Sequence, residues 1–246
     1  MTMARLKKWL VRTCMAILIL APVTALAHFI IFPQQTRCIL IDLSGFKKEG
    51  RLYFNSATPQ HKTDSVKQLI EQATLRVKNF WGQKTANPKF IYCDDDADYK
   101  KYSNAPAAPA ITQLKLGSYI VLSRDGIDLD IIAHEITHAE LYARTGFYTW
   151  TFVIPPWFKH GLAMQNDYRA YYSEDTLKLR SDNFSNLPNI RIFKSDDEFY
   201  AGSLEQVMLN YMTAKYEFRK WYTKEKLEQL LKDLNSGKSF EAAFIQ

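Results

Sequence analysis

The sequence contains few cysteines, with three among 246 residues. Cys14 lies in an apolar N-terminal stretch, so only Cys38 and Cys93 remain for the rest of the chain. This small number excludes a disulfide-rich scaffold. Neither of the two has a second Cys or a His at the spacing of a structural zinc site. In an oxidising compartment these two cysteines would form one disulfide, and two buried free thiols are the alternative.

Glycine is also scarce, with nine residues, and none of them belongs to a phosphate-binding loop. Residues 235–239, N-S-G-K-S, resemble the end of such a loop only superficially. The position where the motif requires its first glycine is Lys232, and no strand is predicted before it. The sequence therefore excludes nucleotide binding through a P-loop.

Acidic residues are absent from residues 1–32, where Arg5, Lys7, Lys8 and Arg12 precede the first apolar run. The formal net charge of +6 depends largely on these four residues. Without them, 28 basic residues face 26 acidic ones, so the rest of the chain is nearly neutral. A nearly neutral body provides no electrostatic footprint for nucleic acid, and we expect no nucleic-acid partner.

The apolar run at residues 13–32 is long enough to cross a bilayer. One interpretation is a retained signal anchor in contact with inner-membrane lipid; the other is a signal peptide cleaved after Ala27. The anchor is favoured because residues 28–32, H-F-I-I-F, continue the apolar stretch beyond that cleavage site. Both interpretations leave the basic flank in the cytoplasm and predict a body outside it, in the periplasm. Residues 1–32 are thus the flank and anchor, and residues 33–246 a single domain.

Histidine is rare as well, with five residues, and two of them occur in an H-E-x-x-H motif. His134 and His138 are four positions apart, so a helix would place both imidazoles on one face. Two imidazoles and one further ligand form a catalytic zinc (Zn2+) site that keeps one coordination position open. Glu135 would then act as the general base. The apolar neighbours Ile132 and Ile136 favour a buried helix here.

Apolar periodicity predicts an α+β fold, with a small mixed sheet and one helix in the N-terminal half and mainly helices after the motif. Residues 33–37 are predicted to form a polar linker. Strands are predicted at 38–43, 51–54, 89–93 and 117–123, and residues 103–109 are predicted to form a loop. Helices are predicted from Thr63 to near Gly82, from Asp128 to near Arg144, from Pro156, and at 199–220, 223–234 and 239–244.

A third metal ligand is predicted at His160, which follows His138 by 22 positions. Its context is P-P-W-F-K-H-G-L-A-M, at the beginning of the next predicted helix. Together, H-E-x-x-H and this W-F-x-x-G-L-A segment resemble the gluzincin (peptidase MA-like) metallopeptidases, whose second helix carries a W-x-x-E-G-L-A-like signature. The resemblance implies a zincin-like fold from about residue 36 to the end. It is closest to small membrane-anchored bacterial members with no assigned substrate.

The chain departs from that family at one position, because His160 stands where the family has its ligand Glu. Three histidines are also an accepted catalytic zinc set. The resemblance therefore implies hydrolysis of peptide bonds in a peptide or protein substrate that the sequence does not identify. The departure leaves open a zinc-binding interaction domain without turnover, and an amidase acting on non-peptide amides is a further alternative. Fallback carboxylate ligands are Asp167, Glu174 and Glu205.

Other side chains are weaker candidates for the site. The resemblance implies an oxyanion-stabilising tyrosine near Tyr200 or Tyr211, although a core or surface aromatic is the plainer interpretation of either. Arg169 could bind a substrate carboxylate, but an ion pair with Asp167 is the preferred prediction. Glu140 is predicted to be a solvated helix position.

Strand 119–122 is predicted to be the sheet edge along which an extended peptide could add as another strand.

Overall fold

The computed structural model describes residues 3–105, 108–114 and 116–244, which fold as a mixed α+β protein. Helix α1 (Met3–Ile31) lies at the N-terminus. Its segment Lys7–Ile31 is long and apolar enough to cross a membrane, and none of its most apolar window is buried against the body. This helix could serve as a membrane anchor or as a signal sequence.

Helix α2 (Pro33–Ile39) occupies the residues predicted to form a polar linker and the start of a strand. A 3-10 turn follows at Ile41–Leu43, so the strand prediction for residues 38–43 is wrong. Pro33 suits the first turn of a helix. The buried side chains Cys38 and Ile41 are three positions apart, which is a helical spacing. Both pack into the same small core.

The sheet contains five strands, β1 (Lys47–Glu49), β2 (Leu52–Phe54), β3 (Lys89–Cys93), β4 (Ala110–Leu114) and β5 (Ser118–Ser123). Their order across the sheet is β1-β2-β3-β5-β4. The three inner strands are parallel, and β1 and β4 run antiparallel at the two edges. Strand β4 is absent from the sequence prediction, because its short A-I-T-Q-L segment directly follows the loop-forming S-N-A-P-A-A-P segment.

Helices cover both faces of this sheet. Besides α2, these helices are α3 (Gln60–Trp81), α4 (Asp96–Tyr102) and α5 (Leu129–Tyr148). Helices α2 and α4 pack together on one face, and α3 and α5 pack together on the other. Side chains of β5 alternate accordingly, with Tyr119 and Val121 in the smaller core and Ile120 and Leu122 in the larger one.

The C-terminal half contains α6 (Pro156–Ala163), α7 (Glu174–Arg180), α8 (Asp196–Phe199), α9 (Leu204–Trp221), α10 (Lys224–Asn235) and α11 (Phe240–Ala243). A π-helical turn at Thr149–Val153 joins α5 to the segment before α6. The single helix predicted at 199–220 is divided, because Gly202 has φ 101° and the Ser203 side chain caps α9 at Gln206. The mainly helical C-terminal half is confirmed.

Cys38 and Cys93 are buried free thiols, so the predicted disulfide is wrong. Both belong to the smaller core, where the Cys38 thiol donates to the carbonyl oxygen of Tyr102 at 3.5 Å. Burial raises the pKa of Cys38 to about 12. Burial also raises the pKa of Cys93 well above its ordinary value. Both thiols therefore act as small apolar core groups rather than as nucleophiles.

Candidate metal centre

His134 and His138 lie in the middle of α5, and both side chains are buried. Asp128 starts this helix by accepting the backbone N–H of Ile131 at 2.8 Å. Because the two histidines are one helical turn apart, their Nε2 atoms converge to 3.1 Å. The helical spacing predicted from the motif is therefore confirmed.

His160 reaches the same place from α6. Gly161, the next residue, allows α6 to approach α9 closely, because a Cβ at this position would lie 2.5 Å from the carbonyl oxygen of Ala214. The His160 ring centroid lies 5.2 Å from that of His138 and 6.3 Å from that of His134. One nitrogen from each of the three rings lies within 4.8 Å of the others. This buried group could hold a metal ion.

The histidine nitrogens fit a metal in their chemistry. Burial lowers the pKa of His134 to about 3, and the nearby His160 lowers it further. Burial also lowers the pKa of His138 and of His160. Three neutral imidazoles are the form that binds a metal. The Nδ1 atoms of all three rings are buried without a hydrogen-bond partner among the described residues.

The fallback carboxylates do not belong to this three-histidine group. Asp167 is fully buried and accepts from Arg169, whose Nε lies 2.9 Å from its Oδ1. The predicted ion pair between these two residues is confirmed. Glu174 pairs with Arg219 and Glu205 pairs with Arg180, both on the surface.

Glu135 faces the cleft next to the histidines. Thr112 of β4 donates a hydrogen bond from its hydroxyl to Glu135 Oε2 at 2.5 Å. Burial raises the pKa of Glu135 to about 7, although the hydrogen bonds from Thr112 oppose this shift. A carboxylate with such a pKa can both take up and release a proton near neutral pH.

Two tyrosines, Tyr200 and Tyr211, also line the cleft. The Tyr200 hydroxyl lies 3.2 Å from Nε2 of His160 and 3.0 Å from the Tyr211 hydroxyl. Burial raises the pKa of Tyr200 and of Tyr211 well above the ordinary value. Both phenols are therefore neutral hydrogen-bond donors. Both tyrosine rings lie next to His160. The plainer interpretation also holds, because Tyr211 packs against the larger core and Tyr200 is 44% exposed.

The cleft has a volume of about 770 Å³ and is bounded by β4, α5, α6, α8 and α9. All five residues of β4 line it, from Ala110 to Leu114. The prediction that strand 119–122 forms the edge is wrong, because β5 lies between β3 and β4. The edge beside the histidines is β4, which the sequence prediction lacks.

Several cleft residues carry no signal in the sequence. Asp196 of α8 has Oδ1 3.5 Å from Nε2 of His160 and Oδ2 3.2 Å from Nζ of Lys159. The Trp150 ring packs edge-on against His138 at 5.5 Å. Gln35 of α2 also lines the cleft. Gln35 and Asp196 come from elements far from the motif in the chain, and Trp150 comes from the turn that directly follows α5, so only the tertiary fold reveals their place in the cleft.

Glu140 is not the solvated residue that the sequence predicts. Its side chain is 1% exposed and accepts the backbone N–H groups of Thr85 and Ala86 at 3.0 Å. Arg144 Nη2 lies 3.4 Å from Oε2 of Glu140. Glu140 therefore ties α5 to the loop that follows α3, and it stabilises the scaffold of the site.

Comparison of the chain with protein-family models, with curated proteins and with solved structures gives no match. The histidine cluster and the cleft around it are consequently the features from which a function can be inferred.

Proposed function

We propose that the chain is a zinc-dependent, zincin-like peptidase, anchored by α1 with its body outside the cytoplasm. The observation that carries this proposal is the convergence of His134, His138 and His160 beside Glu135 in one cleft. Three nitrogen ligands and a nearby carboxylate base match a catalytic zinc site rather than a closed structural one. The basic flank of α1 supports the orientation of the body.

The ligands would be His134, His138 and His160. Bound by them, zinc supplies Lewis acidity to a water molecule and to the scissile carbonyl. Imidazole nitrogen donors without thiolates suit zinc among the common divalent metals. The burial of all three rings supports neutral, deprotonated ligands at neutral pH.

Glu135 would take a proton from the attacking water at Oε1 or Oε2 and pass it to the leaving amine. Thr112 would hold this carboxylate by donating to Oε2. Tyr200, whose hydroxyl lies beside His160, would donate to the oxygen that becomes negative as the carbonyl is attacked. These roles require only proton transfers and hydrogen bonds from groups that already line the cleft.

The edge strand β4 would bind the substrate backbone. One side of β4 pairs with β5, and all five residues of β4 line the cleft. An extended peptide could add there through main-chain hydrogen bonds, which give affinity with little dependence on side chains. This supports a polypeptide substrate.

Metal content and cleavage of a quenched fluorescent peptide library test this proposal. Purified protein is expected to hold about one zinc per chain and to cleave library members. Glu135→Gln is expected to keep zinc and to lose about 10²–10⁴-fold in kcat, the range of general-base catalysis. Protein without stoichiometric metal would contradict the proposal. Bound zinc with no cleavage in either protein would favour an interaction domain instead.

A further inference from the structure

The anchor helix and the cleft are joined by a short, ordered connection. Only Phe32 separates Ile31, the last residue of α1, from Pro33, the first of α2. Hydrogen bonds cross this junction, from Phe32 N to the His28 carbonyl at 2.8 Å and between His28 Nδ1 and the Thr36 hydroxyl at 2.7 Å. The two helices therefore form a continuous unit rather than a flexible tether.

Helix α2 is in turn fixed to the body. Arg37 donates from Nη1 to the carbonyl oxygen of Lys101 at 3.2 Å, and Cys38 donates to that of Tyr102. Cys38 is fully buried in the core that α2 shares with α4. The position of the body relative to the end of α1 is thus determined by packing.

Gln35 of α2 lines the same cleft as the histidines, and its Oε1 is buried without a hydrogen-bond partner in the described part of the chain. It is the fourth residue after Ile31, and four residues of helix correspond to about 6 Å. The wall of the cleft therefore begins within about one helical turn of the anchor.

Large exposed apolar side chains line the cleft or are close in sequence to residues that line it. Leu204 lines it and is 76% exposed. Trp150, another lining residue, lies between Tyr148 and Phe152, which are 70% and 67% exposed. Exposed apolar groups with aromatic residues among them are characteristic of surfaces that meet the interfacial region of a bilayer.

We propose that the cleft opens at the bilayer surface and takes polypeptide segments tethered to the same membrane, close to where they leave it. This inference rests on the proposed function and on the retention of α1 within it. A tethered segment reaches the cleft at a high effective concentration. A peptide free in solution has to enter between the body and the lipid headgroups.

Fluorescence quenching by lipid tests the position of the cleft without any hydrolysis. The full chain carrying Cys14→Ala is labelled at Leu204→Cys with a small environment-sensitive fluorophore and reconstituted into phosphatidylcholine vesicles that contain nitroxide-labelled lipid. Leu75→Cys is the matched control, since Leu75 is an exposed leucine of α3 that does not line the cleft. Stronger quenching at position 204 is expected, and equal or weaker quenching there would overturn the inference.

A spacer series tests the substrate class. Quenched fluorescent peptides are attached to lipid through about 5 or about 20 residues, which reach at most about 18 Å or about 70 Å. Short-spacer peptides are expected to be cleaved at least about 10-fold faster than the same peptides free in solution. Insertion of a long Gly/Ser linker between Phe32 and Pro33 releases the body and is expected to abolish cleavage of the short-spacer set while long-spacer cleavage persists.

Equal cleavage of short-spacer peptides with and without the inserted linker would overturn the inference while leaving the peptidase intact. If no peptide is cleaved in any form, the proposed function fails together with this substrate class. Quenching at positions 204 and 75 still reports separately where the cleft lies.

Discussion

The hydroxyl of Thr112 donates to Oε2 of Glu135 at 2.5 Å and also to the backbone carbonyl of the same residue at 3.1 Å. This pair joins the edge strand β4 to α5 at the acidic residue of the motif. It therefore sets the direction in which the carboxylate points, and Thr112 itself is not one of the three candidate ligands.

Thr112→Val is expected to lower kcat while zinc affinity stays unchanged. A hydrogen bond to a charged group contributes about 1.5–3 kcal/mol, and its loss from the transition state corresponds to about 10–100-fold in rate. Thr112→Ser is expected to restore the rate, because it keeps the hydroxyl. Thr151→Val, at an exposed position of the π-helical turn, is the control. Steady-state kinetics and chelator competition measure both quantities, and a parallel loss of zinc would argue against a positioning role.

His160→Ala is expected to weaken zinc binding by more than about 100-fold, since loss of an outer-shell partner alone costs about 10–100-fold. His160→Glu is expected to retain stoichiometric zinc, because a carboxylate is also a competent ligand. His61→Ala removes an exposed histidine of α3 and serves as the control. Competition with a fluorescent chelator gives the three affinities. Unchanged affinity in His160→Ala would exclude His160 as a ligand.

Asp196→Asn is expected to reduce zinc affinity by about 10-fold. This is the lower end of the loss of about 10–100-fold that follows mutation of an outer-shell partner. Its Oδ1 lies 3.5 Å from Nε2 of His160, so its negative charge favours the ligand orientation seen in the cleft. Asp197→Asn changes the neighbouring exposed carboxylate and should leave affinity within error. Equal effects of the two substitutions would indicate a general surface-charge effect instead.

Glu140→Ala is expected to lower the free energy of unfolding by about 3–5 kcal/mol, because it leaves two backbone N–H groups and Arg144 without their buried acceptor. Glu140→Gln, which keeps one acceptor oxygen, should cost less. Glu71→Ala, at an exposed position of α3, should change stability by less than about 0.5 kcal/mol. Urea unfolding in detergent measures all three. If Glu140→Ala lowers the free energy of unfolding by no more than Glu71→Ala does, Glu140 does not stabilise the scaffold as a buried acceptor.

The ion pair of Asp167 and Arg169 predicts a dependence of stability on pH. Burial opposes ionisation of Asp167, but the hydrogen bonds and charge of Arg169 outweigh it and lower the pKa below 3.8. A lowered pKa in the folded state means that the stabilisation is complete above about pH 4 and is lost as the pH falls through the folded-state pKa. Asp167→Asn should cost about 2–3 kcal/mol at neutral pH.

The difference between wild type and Asp167→Asn should therefore shrink as unfolding is measured at progressively lower pH. Asp125→Asn, whose side chain is 78% exposed and pairs with exposed Arg124, is the control and should show no such trend. If this difference in the free energy of unfolding stays constant down to acid pH, the contribution of the ion pair does not depend on protonation of Asp167, and the prediction is wrong.

Local spacing was sufficient to predict that His134 and His138 converge, because one helical turn brings i and i+4 together whatever the rest of the fold does. His160 was predictable from its neighbours, since two prolines begin a helix and G-L-A follows. Glu140 was not, because its partners are backbone amides of Thr85 and Ala86, which are 55 and 54 positions away. Nothing near Glu140 in the chain distinguishes it from a surface residue.

The errors at residues 38–43 and at β4 have one cause. Short apolar runs fit a strand or a buried helix equally well, and the surrounding fold decides between them. Cys38 and Ile41 are buried at the end of a helix and in the turn after it, whereas Ala110–Leu114 becomes a strand because β5 offers a free edge.

The contact between Gly161 and Ala214 has a consequence for engineering. Replacing a helical glycine with alanine is a routine way to stabilise a protein, and an unobstructed site gains about 0.5–1 kcal/mol. Here the added methyl group would meet a backbone carbonyl at 2.5 Å, so α6 and α9 would have to separate. Because His160 precedes Gly161 and Tyr211 lies on α9, any variant selected for heat resistance through this position would move His160 away from Tyr211.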